Sequence, residues 1–261
     1  VNDNIYSKIK ELLSGTKPEE LKKGLKLVKQ EISRIGSDKA RPIFEVVSTI
    51  FHIDPLDRPD LVPIIDEAIS LVVGFGDWVI PVLIHELEGS DLKVQMAIAQ
   101  ALGRIGADAI IPLIEEYQET SDPVRREFIL YSLSKIKSPK IVKAGEFAIE
   151  SAQSSNRELR DTATRAIGKF VEVIPTSNLT EEMRRGFVEV LQKNLADENP
   201  GIRAKAIRSL GKLARYGHLT NKEKEKLKIT LNLLLGEDNK HEWDRAYLVR
   251  KEAKEALQYV V

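Results

Sequence analysis

The 261-residue chain contains no cysteine. That absence removes thiol nucleophiles, disulfide frameworks, Cys-ligated zinc and thiolate-held iron–sulfur clusters in one step. Aromatic residues make up only 6% and methionine appears twice. Neither charge sign is in excess, with 40 Lys+Arg against 40 Asp+Glu, and the sequence pI of about 7.1 is lower than a dedicated nucleic-acid-binding domain usually shows. No apolar run approaches the roughly 18 uninterrupted residues of a membrane span. The start, Val1-Asn2-Asp3-Asn4-Ile5, lacks the basic segment and apolar stretch of a secretory signal, so a cytoplasmic setting is expected. There is no Gly-rich phosphate loop, no serine nucleophile turn and no metalloprotease spacing. The apolar share, 42%, is high enough to oppose chain entropy and excludes a disordered polar chain.

What the sequence does have is repetition. The clearest unit is Asp91-Leu-Lys-Val94-Gln-Met-Ala-Ile98-Ala-Gln-Ala101-Leu102-Gly103-Arg104-Ile105-Gly106. With Asp91 as station 1 and Ile105 as station 15, the same slots recur. They are filled by Asp122, Arg126, Leu133 and Ile136, then by Asn156, Arg160, Ala163, Ile167 and Phe170. Asn199, Arg203, Ala206, Leu210 and Leu213 follow, and then Val249, Arg250, Ala253, Leu257 and Val260. Weaker copies end at Ile35-Gly36 and Phe75-Gly76. Apolar stations 4, 8, 11, 12 and 15 mark one stripe of an α-helix and not the alternation of a strand. A second periodic stretch accompanies most copies, at 78–84, 109–114, 141–149, 183–195 and 227–235. Prolines 42, 81, 112 and 139 sit near such helix starts, where a missing N–H costs little. Thr220-Asn-Lys-Glu223 reads as a capping box. Each unit is therefore a helical hairpin, and a lone hairpin cannot bury its apolar faces, so neighbours must stack. The expected fold is all-α: an α-solenoid of about seven stacked hairpins forming one repeat domain over 1–261, with units ending near 36, 76, 106, 137, 171, 214 and 261.

The unit resembles a HEAT repeat, of the short kind also found in phycobilin-lyase-like proteins. The residues carrying the resemblance are Asp91 and Ala101-Leu-Gly-Arg-Ile-Gly106, the Ile80-Pro81 and Ile111-Pro112 openings, and the column Arg126, Arg160, Arg203, Arg250. It implies a HEAT-like superhelix whose second helices line a concave surface. It also implies a ladder of polar contacts between successive second helices, here from Asp91, Asp122, Asn156 and Asn199 to the four arginines. Gln95 breaks the arginine column. Such a fold serves many unrelated tasks and does not give function by itself.

Candidate chemistry is sparse. The histidines are His52, His85, His218 and His241, two of them in His85-Glu86 and His241-Glu242. Repeated His-Glu pairs on HEAT-like helices form the di-iron site of deoxyhypusine hydroxylase, but there the pair lies inside the second helix. Here His85 falls in a first helix and His241 in a polar loop, so no metal site is expected. Alkylpurine DNA glycosylases hold damaged DNA between tryptophans on a HEAT-like face. Trp78 and Trp243 lie about four repeats apart and cannot form one clamp. Trp78, among Val79, Ile80 and Leu83, reads as core, and Trp243 as an exposed anchor. No catalytic group and no cofactor are expected; lyase or glycosylase activity rests on family analogy alone.

Charge is segregated along the chain. Residues 54–119 hold thirteen acids and three bases, whereas 201–230 hold nine bases and two acids. On a helical wheel, stations 10 and 14 fall away from the apolar stripe. They include Arg104, Tyr131, Lys135, Arg165, Lys169, Arg208 and Lys212, and station 7 adds Phe128 and Lys205. Lysine and arginine at station 14 also suit the negative end of the helix macrodipole; that does not account for Arg165, Arg208 and Lys205. These nine residues are the predicted contacts of a non-enzymatic scaffold binding an acidic protein segment on its concave, partly basic face. Nucleic-acid binding through the same cations is the alternative, opposed by the acidic stretch 54–119.

Overall fold

The computed structural model describes residues 2–237 and 243–260, and among these it contains fourteen α-helices, short 3-10 turns and no strand. Contacts gather into two compact units, Val1–Glu116 and Tyr117–Val261. The first unit holds α1 (Asp3–Leu13), α2 (Pro18–Ile35), α3 (Arg41–Ser48), α4 (Val62–Val72), α5 (Val79–Glu86) and α6 (Leu92–Ile105). The unit boundary falls within α7 (Ile110–Glu119). The second unit continues with α8 (Pro123–Leu133), α9 (Gly145–Ser151), α10 (Arg157–Phe170) and α11 (Glu181–Asn194). It ends with α12 (Pro200–Arg215), α13 (Asn221–Leu235) and α14 (Tyr247–Leu257).

The helices begin where the sequence supplies caps. Asp91, Asp122, Asn156 and Asn199 each accept a backbone N–H from the first turn that follows, satisfying donors that a helix start leaves unpaired. Thr180 caps α11 from Met183 N at 3.2 Å. The capping box forms: Glu223 N donates to Thr220 Oγ1 and Thr220 N to Glu223 Oε2.

In the first unit α2 packs against α4 and α4 against α6. Phe44, Phe75 and Trp78 meet edge-to-face with ring centroids 5.5 to 6.0 Å apart. Trp78 is a packing residue there, with Arg41 stacked 4.7 Å over its ring. In the second unit α8, α10, α12 and α14 stack in order, with α9, α11 and α13 against them. Apolar stations 4, 8 and 15 are buried, as at Leu159, Ala163 and Phe170 or Ile202, Ala206 and Leu213. The α10–α12 crossing is close because station 13 is Gly168, where an added Cβ would stand 3.1 Å from Ser209 Cα. A buried polar strut joins the layers: Asn194 Nδ2 donates to Ala152 O and Thr164 Oγ1, both at 2.9 Å, and Ser209 Oγ donates to Thr164 O.

Candidate protein-binding face

The polar ladder is built differently from the expected pairing. Asp91, Asp122, Asn156 and Asn199 are occupied as helix caps, so their side chains do not meet the arginines of neighbouring units. Each arginine instead donates to the carbonyl six residues before it: Arg126 to Thr120, Arg160 to Ser154, Arg203 to Asp197 and Arg250 to Asp244. Gln95, in the same column, donates through Nε2 to Leu87 O, eight residues before it, at 3.0 Å. Three arginines then reach into the next unit, Arg126 to Glu150 at 3.1 Å, Arg160 to Asp197 at 2.7 Å and Arg203 to Asp244 at 2.8 Å. Asp197 and Asp244 were not picked out by the repeat template. Their signal was present: Thr120, Ser154, Asp197 and Asp244 all stand two residues before a cap, and each side chain accepts that cap residue's N–H.

The second helices of unit Tyr117–Val261 carry the predicted contact residues in three rows, one per station. Station 7 reads Phe128, Thr162, Lys205 and Glu252; station 10 reads Tyr131, Arg165, Arg208 and Glu255; station 14 reads Lys135, Lys169, Lys212 and Tyr259. Contacts knit the rows together. Lys135 Nζ lies 4.6 Å and the Arg165 guanidinium 5.9 Å from the Tyr131 ring. Lys205 pairs with Asp161, and Arg208 Nε donates to buried Glu252 at 2.9 Å. Phe128 is half-buried beside them.

Glu172, just past α10, is a hub that sequence reasoning missed. Lys212 approaches it to 2.5 Å, Lys169 to 3.3 Å and Lys137 to 3.6 Å. Burial alone would raise the Glu172 carboxyl, but Lys212 and Lys169 together hold it below the ordinary carboxylate range. Burial pushes the Lys212 ammonium down, opposed by Glu172 and reinforced by the like charges of Lys169 and Arg208. Three lysines thus share one carboxylate. Among the described residues, Lys135 and Arg165 make no ion pair. Across the rows seven cations (with Lys137) face five carboxylates, Glu127, Asp161, Glu172, Glu252 and Glu255. Lys205 and Arg208 each have a carboxylate of their own, and the excess positive charge is concentrated around Tyr131 and Glu172.

Arg104 belongs to the other unit, where it pairs with Asp66 and donates to Asp66 O at 2.7 Å. His52 and His85 are exposed near Glu86, whose carboxyl is raised by burial despite their opposing influence. His218 is buried, its ring Nε2 3.3 Å from Val171 O. His241 and Glu242 lie outside the described residues. Among the described residues no group of three or more His, Cys, Asp or Glu side chains is arranged to hold a metal ion, and no single helix is long and apolar enough to cross a membrane. Trp243 is 53% exposed with Arg250 stacked 4.0 Å over its ring.

Helical hairpins with this station pattern define a helical-repeat protein, and comparison with known proteins agrees. Residues 80–168 match the family model for HEAT repeats. No curated protein matches it. Among solved structures it is similar to phycocyanin lyase from Nostoc sp. PCC7120, solved as a complex of CpcE and CpcF. The identity is 20% and the TM-score 0.54, over 69% of this chain and 98% of that one. It is also similar to Kap95p in a structure with RanGDP, at 14% identity and TM-score 0.58, over 93% of this chain and 36% of that one. A designed armadillo repeat protein in complex with peptide (KR)4 matches at 15% identity and TM-score 0.50, over 97% and 98%. At these identities the likeness establishes the α-solenoid fold.

Proposed function

We propose that this chain is a non-enzymatic protein-binding scaffold whose second-helix face on α8, α10, α12 and α14 holds an acidic segment of a partner protein. One observation carries the reading: Tyr131 is flanked by Lys135 and Arg165, neither with a carboxylate partner, one repeat away from three lysines that share Glu172. Excess cations beside a half-buried tyrosine give an acidic peptide both charge and an apolar anchor, the combination enriched at interface hot spots. Phe128 extends the apolar anchor, while Lys169, Lys205, Arg208 and Lys212 supply a polar floor already held in place by their acids. Arg104, engaged by Asp66, lies outside this reading. Helical-repeat neighbours of this fold include complexes with a protein and with a peptide, and the (KR)4 peptide bound by the designed armadillo protein is basic. The present face has the charge to accept the opposite polarity.

The test is an array of Asp/Glu-rich dodecapeptides probed with the whole chain at two salt concentrations, beside duplex and single-stranded DNA. Capture of acidic peptides, weakened by salt and absent for their Lys-substituted versions, supports the reading. Preferential retention of DNA with a steep salt dependence would replace it with the nucleic-acid alternative.

A further inference from the structure

A second cationic feature lies in unit Val1–Glu116 and owes nothing to the face on α8–α14. Stations 6, 9 and 13 of a second helix turn toward the next second helix. In α10 they are Asp161, paired with Lys205 of α12, Thr164, bonded to Ser209, and Gly168, in tight contact with Ser209. On α2 the same flank carries Lys22, Lys26, Lys29 and Ser33 at stations 2, 6, 9 and 13, with Lys23 adjacent. On α2, lysines stand at the two stations that Asp161 and Thr164 hold on α10. The flank borders an open cleft of about 740 Å³, lined by these residues with Glu19 and Gln30 of α2 and Glu67 of α4.

The lysines are exposed, and among the described residues none of Lys22, Lys23, Lys26 or Lys29 makes an ion pair. Like charges at i,i+3 and i,i+4 on one helix repel, and this helix has three such pairs, Lys22–Lys26, Lys23–Lys26 and Lys26–Lys29. Four cations confront two carboxylates, so an occupant needs at least two negative charges. The type of cation narrows its chemistry further. No guanidinium lines the cleft; planar carboxylates are best gripped by the arginine fork, whereas lysine ammoniums act as mobile point charges suited to phosphate oxygens. The lysine row advances about 1.5 Å per residue, roughly 10 Å from Lys22 to Lys29. That length fits two or three linked phosphoryl groups.

We infer that the α2–α4 cleft is a binding site for a small polyphosphorylated ligand, its phosphoryl groups held by Lys22, Lys26 and Lys29. The probe is inorganic tripolyphosphate, titrated calorimetrically into the whole chain at low salt. Lys26→Glu with Lys29→Glu, both exposed, should weaken binding by at least about tenfold, with the thermal melt of the apo protein confirming an intact fold. Lys140→Glu with Lys143→Glu, exposed in the other unit and outside the proposed peptide face, should leave it unchanged, and orthophosphate should bind more weakly than tripolyphosphate. Absence of tripolyphosphate binding, or binding indifferent to the Lys26/Lys29 variant, overturns the inference. So does equal competition by an octaglutamate peptide or an oligothymidylate, which would show an unselective anion surface. Failure here leaves the acidic-segment reading intact, because that reading is measured with peptides and with variants of the other unit.

Discussion

Arg203 and Asp244, forty-one residues apart in the chain, form a two-pronged ion pair, Nε to Oδ2 at 2.8 Å and Nη2 to Oδ1 at 3.0 Å. The same guanidinium donates to Asp197 O at 2.9 Å, so one side chain closes its own turn and fastens it to the next repeat. Asp244 is 8% exposed. Burial alone would raise its carboxyl, but Arg203, the Ala246 N–H and the charge of Arg250 hold it below the usual carboxylate range. Arg203→Ala leaves that acid buried without its partner and should cost on the order of 3 kcal/mol in urea unfolding. A loss well under 1 kcal/mol would mean the pair is solvated and idle.

Acidification should destabilise the protein in two steps. His218 is held below its ordinary value by burial, partly opposed by its bonds to Val171 and Ile174. The unfolded chain then takes up a proton near pH 6.5 that the folded chain refuses, so stability declines as pH falls from about there. Asp197, Asp244, Glu172 and Glu223 are all depressed in the fold. Their contribution is present above the normal carboxylate range and is lost as pH falls through about 4 and below. Urea midpoints measured from pH 7.5 to 3.5 should show both declines. His218→Phe should remove the upper one, and its persistence in that variant would assign it elsewhere.

Glu172→Gln separates stability from binding. Removing the shared carboxylate leaves Lys137, Lys169 and Lys212 without their counter-charge, so the urea midpoint should fall. The same change adds one net positive charge to the proposed face, so acidic peptides should bind severalfold more tightly at low salt. Lower stability with weaker peptide binding would show that Glu172 shapes the face and does not merely neutralise it.

Much of the fold was legible because it is written in apolar spacing. Stations such as Val94, Ile98 and Leu102, or Ile202, Ala206 and Leu210, name the buried stripe directly, and Thr220-x-x-Glu223 marks a helix start. The apolar period runs through Glu116 without a linker, so repeat spacing alone does not mark a division there, although the acidic stretch 54–119 ends close by. Ion pairing was hidden. It joins Lys205 to Asp161 and Arg208 to Glu252, each 44 residues away, and repeat spacing lists which residues share a row without saying which acids answer them. A count of basic stations therefore exaggerated the free charge of the face: five of its seven cations are paired, and Lys135 and Arg165 stand apart.

That distinction fixes the most direct measurement. Lys135→Glu with Arg165→Glu alters the two unpaired cations beside Tyr131 without touching a buried acid, and should preserve the thermal melt. Fluorescence titration of the best acidic peptide from the array is then compared between this variant and the parent chain. If the second-helix face is the binding surface, affinity falls by about a hundredfold, two charge-assisted contacts having been reversed, and the Arg/Lys-rich counterpart of the peptide gains affinity. Unchanged affinity in a fully folded variant would contradict the account.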